Sequence, residues 1–279
     1  MSTPRIDAHH HFWAYNPEAY AWIDESMAVN QRDFLPVDLE ETLRASQLDA
    51  AISVQARTIP EETDWLLGMA EQHSFIAGVV GWAPFRDADV GERLEAWAAH
   101  PACVGMREVA QGEPEGFLLD DAFNRGVAEV GRVGLAYDIL IFENQLEEAV
   151  RFVDRHPTVR FVVDHIAKPR IAEGAFDGWA KGMKALSERE QVWVKVSGMV
   201  TEADWDGWTP EQLQPYLDEV FSVFGPKRLL FGSDWPVCRL GCSHQDWTAL
   251  LRQYTASLSV DEQALFWGGA AMDAYQLPQ

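Results

Sequence analysis

The sequence predicts an α/β chain closed as a (β/α)8 TIM barrel, on three observations. Eight short apolar segments recur along its whole length, helical periodicity fills the spaces between them, and most of the apolar segments are nearly continuous. Runs such as VVGWA, FVVDH and WVKVSG suit parallel strands buried on both faces better than half-exposed antiparallel ones. Strand alternating with helix at intervals of roughly 25 to 45 residues is the pattern of a parallel fold.

In chain order, strands are expected at 6–12, 50–56, 76–83, 103–109, 135–142, 160–166, 192–197 and 229–233. Helical spacing is clearest at Leu39, Leu43 and Leu48 after Asp38, and at Leu94, Trp97 and Ala98 after Asp89. It recurs at Phe123, Val127 and Val130 after Asp120, and at Leu146, Val150 and Val153 after Asn144, each run beginning near a residue suited to cap a helix. Eight such units favour a closed barrel. A doubly wound sheet would alternate in the same way, but no G-x-G-x-x-G turn follows the first strand. Residues 13–36, rich in Trp, Tyr, Pro and Asn and without a clean period, are expected to form a loop over the substrate. With no linker-like stretch, a single domain over 1–279 is expected.

Composition narrows the function. Lys and Arg number 22 against 44 Asp and Glu, a formal charge of −22 that would repel nucleic acid and anionic lipid, so a small neutral ligand is the expected partner. Cys103, Cys238 and Cys242 are too few for a disulfide framework and lack the partners of a structural zinc site. No basic region followed by an apolar run opens the chain, and the expectation is a soluble cytoplasmic protein.

Three segments carry chemistry. The first strand reads Ile6-Asp7-Ala8-His9-His10-His11, and alternation puts His9 and His11 on one face with His10 on the other. Two imidazoles on one strand end can bind a divalent ion or hydrogen-bond a carbonyl; a histidine patch at an exposed terminus would be the plain alternative. The sixth strand ends in Asp164-His165, with Lys168 as a loop residue, and His165 joins the same level of the barrel. The eighth ends in Ser233-Asp234-Trp235-Pro236, where Asp234 either deprotonates a water or caps the following helix. Arg107, Gln55 and Lys195 are expected to line a substrate pocket from other strand ends, with Lys195 equally suited to a buried ion pair or, carbamylated, to metal ligation. Of the 12 tryptophans, Trp22, Trp82 and Trp235 are expected to offer stacking faces to a sugar-like ligand.

The D-x-H-x-H strand, the D-H-x-x-K-P turn at 164–169 and G-S-D-W-P at 232–236 resemble the amidohydrolase superfamily in its lactone-hydrolase branch. Phe12-Trp13, VTEADW at 200–205 and WGGA at 267–270 are similar to its sugar-lactonase members. The resemblance spans nearly the whole chain. It implies a distorted (β/α)8 barrel with His9, His11, His165 and Asp234 as catalytic residues, and hydrolysis of an aldonolactone such as L-fucono- or L-rhamnonolactone. Arg107 on the fourth strand and Tyr137-Asp138 on the fifth replace the ligands a binuclear centre needs. At most one divalent ion, zinc by preference, is then expected on His9, His11 and Asp234, and catalysis without metal is equally open. A metal-dependent decarboxylase and a non-catalytic sugar-binding barrel are the alternative readings.

Overall fold

A computed structural model describes residues 3–278. The described residues form one parallel sheet in sequential order: β1 Ile6–His10, β2 Ala50–Val54, β3 Ile76–Gly81, β4 Cys103–Val109, β5 Ala136–Leu140, β6 Phe161–Val163, β7 Val192–Val196 and β8 Leu229–Phe231. The helices that follow these strands are α1 Pro36–Ala45, α2 Pro60–Gln72, α3 Val90–Ala98, α4 Asp121–Arg132, α5 Leu146–Arg155, α6 Asp177–Ser187, α7 Pro210–Phe224 and α8 His244–Thr255. Two short helices, α9 Val260–Ala264 and α10 Ala270–Tyr275, end the chain on either side of a π-turn. The barrel reading therefore holds and the doubly wound alternative falls. The expected domain runs from 1 to 279, and its terminal residues 1, 2 and 279 lie outside the described ones.

Two apolar layers hold the fold. The larger lies between strands and helices, and the smaller fills the barrel's interior with Ile6, Ala8, Ile52, Val54, Val80, Val104, Ala136, Val162 and Leu230. Ala270, Ala271, Ala274 and Tyr275 of α10 join that inner layer, which plugs the end of the barrel away from the strand C-termini.

β8 has three residues, too few for a long ladder to β1, so side chains and loop backbone complete the seam. Asp234 donates its N–H to the His9 carbonyl at 2.8 Å, and His11 donates to the Trp235 carbonyl at 2.7 Å. Beneath them the buried Asp7 carboxylate accepts from the Ser233 N–H (2.8 Å) and Ser233 Oγ (2.6 Å), and from the His9 N–H (3.2 Å). His244, at the start of α8, reaches the same carboxylate at 3.1 Å and Ser46 at 2.8 Å. Asp7 thus ties β1, the β8 terminus and α8 together, and the acid of the D-x-H-x-H motif has a structural task.

The sixth strand is shorter than expected. It stops at Val163, and residues 165–168 all take left-handed backbone, with φ of 52°, 48°, 60° and 47°. The apolar FVVDHIA run reads as one strand because periodicity cannot register a change of backbone hand. Each non-glycine residue there costs about 1–2 kcal/mol, and the surroundings must impose the turn. The Trp179 indole donates to the Ile166 carbonyl at 2.6 Å, Lys168 N–H closes onto the His165 carbonyl at 2.8 Å, and Ile166 and Ala167 are fully buried. Gly198 makes room for the turn: a Cβ there would stand 2.5 Å from His165 Nδ1.

Candidate active site

Simple alternation would turn Asp7, His9 and His11 to the same side of β1. The β1–β2 register shifts between Asp7 and His10, however, and the side chains sort differently. Asp7 faces α8, His10 bonds Ser53 at 2.9 Å, and His9 and His11 turn into the mouth of the barrel. There His9 Nε2 and His11 Nε2 stand 3.2 Å apart. Asp234 Oδ1 lies 3.8 Å from the first, 3.5 Å from the second and 3.9 Å from His165 Nε2. The four residues are at most 5 % exposed. Asp234 itself sits at φ +58°, and its carboxylate faces the imidazoles and caps no helix among the described residues.

The tautomers follow from the partners. His11 Nδ1 lies 2.8 Å from the Val54 carbonyl, which can only accept, so the neutral His11 ring carries its proton there and aims a lone pair from Nε2 into the cluster. His9 Nδ1 lies between Lys195 Nζ at 3.1 Å and Asp164 Oδ1 at 3.3 Å. If Lys195 donates to it, Nε2 holds the proton and hydrogen-bonds His11. If Asp164 accepts from it, two lone pairs face each other and a cation is needed between them.

Charge states agree with this geometry. Burial, reinforced by the Lys195 charge, holds His9 well below the ordinary imidazole range. Burial likewise brings His165 down to about 4 against the pull of Asp234. Burial alone would raise Asp234, but His165 and His11 outweigh it and hold the carboxyl below its usual value. At neutral pH the site presents the Asp234 carboxylate beside the neutral His9 and His165 rings.

The donor set His9, His11 and Asp234 fits one divalent ion. Ligands about 2.0–2.1 Å from a tetrahedral ion stand roughly 3.3 Å apart, and the three donor atoms are separated by 3.2 to 3.8 Å. A second group, His9, Asp164 and His165, also converges, but Asp164 already meets Arg107 at 2.8 Å and Lys195 at 2.9 Å, and a dication there would face two cations.

The other expected site residues are distributed unevenly. Arg107 borders the cluster, 3.5 Å from His9 Nε2, while its guanidinium holds Asp164 and both oxygens of Gln55, at 2.6 and 2.7 Å. Gln55 is fully buried with its Nε2 unpartnered. Lys195, expected among the substrate contacts, is 0 % exposed and divides its ammonium among Asp138 (2.5 Å), Asp164 and His9; it is a buried ion-pair residue. The Asp164 Oδ1 contact is an ion pair without hydrogen-bond alignment. Trp235 offers no open face, because it is wedged edge-on against Phe12 and Phe34. Trp82 spends its indole N–H on Glu108 at 3.0 Å, and Trp22 is 42 % exposed with its ring edge-on to Trp13. Trp13 pins the expected covering loop through the carbonyls of Asn30 (3.2 Å) and Arg32 (2.8 Å) and a bridge to Phe34.

Sequence reasoning missed Asp164 as the hub between Arg107, Lys195 and His9, although its place before His165 was the signal. Ser197, a polar end of the seventh strand expected to suit a substrate pocket, instead bonds His165 Nδ1 at 2.9 Å, and Glu202, given no role from sequence, meets Lys168 at 3.5 Å.

Comparison with known proteins agrees with this architecture. The amidohydrolase family model matches residues 6–277. An L-fucono-1,5-lactonase of Burkholderia multivorans is 39 % identical, over 100 % of this chain and 98 % of its own, and one of Burkholderia ambifaria is 35 % identical, over 99 % and 96 %. The crystal structure of a B. multivorans amidohydrolase with bound zinc superposes with a TM-score of 0.96 at 39 % identity, over 99 % of this chain and 100 % of that one. With the match running from the first strand to the last helix, the chain belongs to the amidohydrolase family.

Proposed function

We propose that this enzyme opens a neutral sugar lactone, an aldonolactone of the L-fucono- or L-rhamnono- type, to the hydroxy acid. One observation carries the reading: three imidazoles converge on a buried ionised carboxylate in a chain alike, over its full length, to two L-fucono-1,5-lactonases. The barrel mouth supplies what ester hydrolysis needs, a base for water and donors for the carbonyl oxygen.

In this mechanism Asp234 takes a proton from a water as its oxygen attacks the lactone carbonyl carbon. His9, His165 and the Arg107 guanidinium offer N–H groups to the oxygen that gains charge. The ring C–O bond then breaks, and the proton returns from Asp234, or through His165, to the leaving alkoxide. Ser197 keeps the His165 ring oriented, and Lys195 with Asp164 sets the tautomer of His9. A divalent ion, zinc by analogy with the zinc-bound relative, would be held by His9, His11 and Asp234; His9 Nε2 would then be a ligand, and the ion would supply the carbonyl polarisation in place of the His9 N–H.

Acid release from L-fuconolactone, followed with a pH indicator, tests the reading. Asp234→Asn should lower kcat by about 10²–10⁴-fold. Full activity in that variant, or none in the wild type, sinks it.

A further inference from the structure

Lys168 and Glu202 form an acid–base pair that the mechanism leaves idle. The left-handed turn carrying His165 ends on Lys168, and the segment after β7 brings Glu202 to meet it at 3.5 Å. Both side chains are largely buried yet open to solvent, 16 % and 19 % exposed. Among the described residues the ammonium, with three donors, has Glu202 as its one polar partner, and the carboxylate, with about four acceptor positions, adds only the neighbouring Thr201 hydroxyl, which also bonds the Gly198 carbonyl. Lys195, by contrast, divides its ammonium among three partners and is sealed from solvent.

Their placement is beside the histidine–aspartate cluster. Lys168 is three residues from His165 on the same turn, and Glu202 belongs to the segment that begins at Ser197, which bonds the His165 ring, and Gly198, which leaves room for it. Both lie within electrostatic reach of Asp234: the Lys168 charge helps to hold the Asp234 carboxyl down, and burial raises Glu202 with the Asp234 charge adding to it. The Phe142 ring, 5.8 Å from Lys168 Nζ and 37 % exposed, adds an apolar wall.

We propose that Lys168 and Glu202 are the specificity-determining residues of this site, binding two neighbouring hydroxyls of a polyhydroxylated lactone, Lys168 donating to one oxygen and Glu202 accepting from the other. A hydroxyl pair satisfies both groups without separating the charges, and a ring lacking hydroxyls leaves them unsatisfied. The inference rests on the lactonase reading and names what that site selects.

The experiment measures kcat and KM for L-fuconolactone, and KM or Ki for δ-valerolactone, which has a ring without hydroxyls, in the wild type, Lys168→Met and Glu202→Gln. Each variant should lower kcat/KM for the sugar lactone by about 10- to 100-fold, mainly through KM, with a loss on δ-valerolactone at least ten-fold smaller. Equal losses on both rings, or none on either, overturn the assignment and leave the lactonase reading standing. A wild type that opens no sugar lactone overturns both. Glu202→Gln keeps the side-chain shape, so matching thermal unfolding with the wild type separates lost recognition from lost folding.

Discussion

Two lysine-centred charge clusters stand in this barrel and differ in one respect. In the interior, Asp138, Lys195, Asp164 and Arg107 form a chain of ion pairs, closed at the lower end by Tyr275 Oη on Asp138 (2.8 Å) and at the upper end by Gln55 on Arg107. At the mouth, Lys168 and Glu202 touch once and keep most of their hydrogen-bonding capacity. Full burial forces the first cluster to satisfy itself, because an unpaired buried charge is far costlier than an exposed one. Partial exposure lets the second wait for a ligand. The contrast separates charges that position a site from charges that read a substrate.

The sharpest test of this contrast is stability. Lys195→Met strands Asp138 and Asp164 in the interior and should destabilise the fold by about 3–5 kcal/mol in urea unfolding. Removing Asp138 as well should restore part of that loss, since its carboxyl is already pushed up to about 6, by burial first and then by the Asp164 charge. A Lys195→Met protein as stable as the wild type would break the comparison.

Counted per titrating group, acid should come next in size. Burial holds His10 down to about 3 and His165 to about 4, against 6.5 for a free imidazole. The unfolded chain therefore takes up protons below pH 6.5 that the folded chain refuses. The stability tied to these neutral rings is complete above that pH and drains away as pH falls, down to about 4 for His165 and about 3 for His10. Each should cost about 2–3 kcal/mol by pH 4.5, read as a falling unfolding free energy. A flat profile between pH 7 and 4.5 would contradict their burial as neutral rings.

The smallest effect belongs to the mouth. Lys168→Met should change unfolding free energy by no more than about 1 kcal/mol, because a loosely made, part-exposed pair contributes little. A loss as large as that of Lys195→Met would erase the distinction between the two clusters.

Much of this was legible in the chain itself. The eight apolar runs and the helices between them follow from local periodicity, and the convergence of His9, His11, His165 and Asp234 follows once their strands are parallel members of one barrel. What only the tertiary structure decided lies in the departures from regular geometry. The register shift that turns Asp7 away from His9, the left-handed turn at 165–168 and the pairing of Lys195 with two aspartates all depend on residues distant in sequence. Side-chain period and propensity are set by neighbours along the chain, whereas a strained turn or a buried charge persists only where packing from elsewhere compensates its cost.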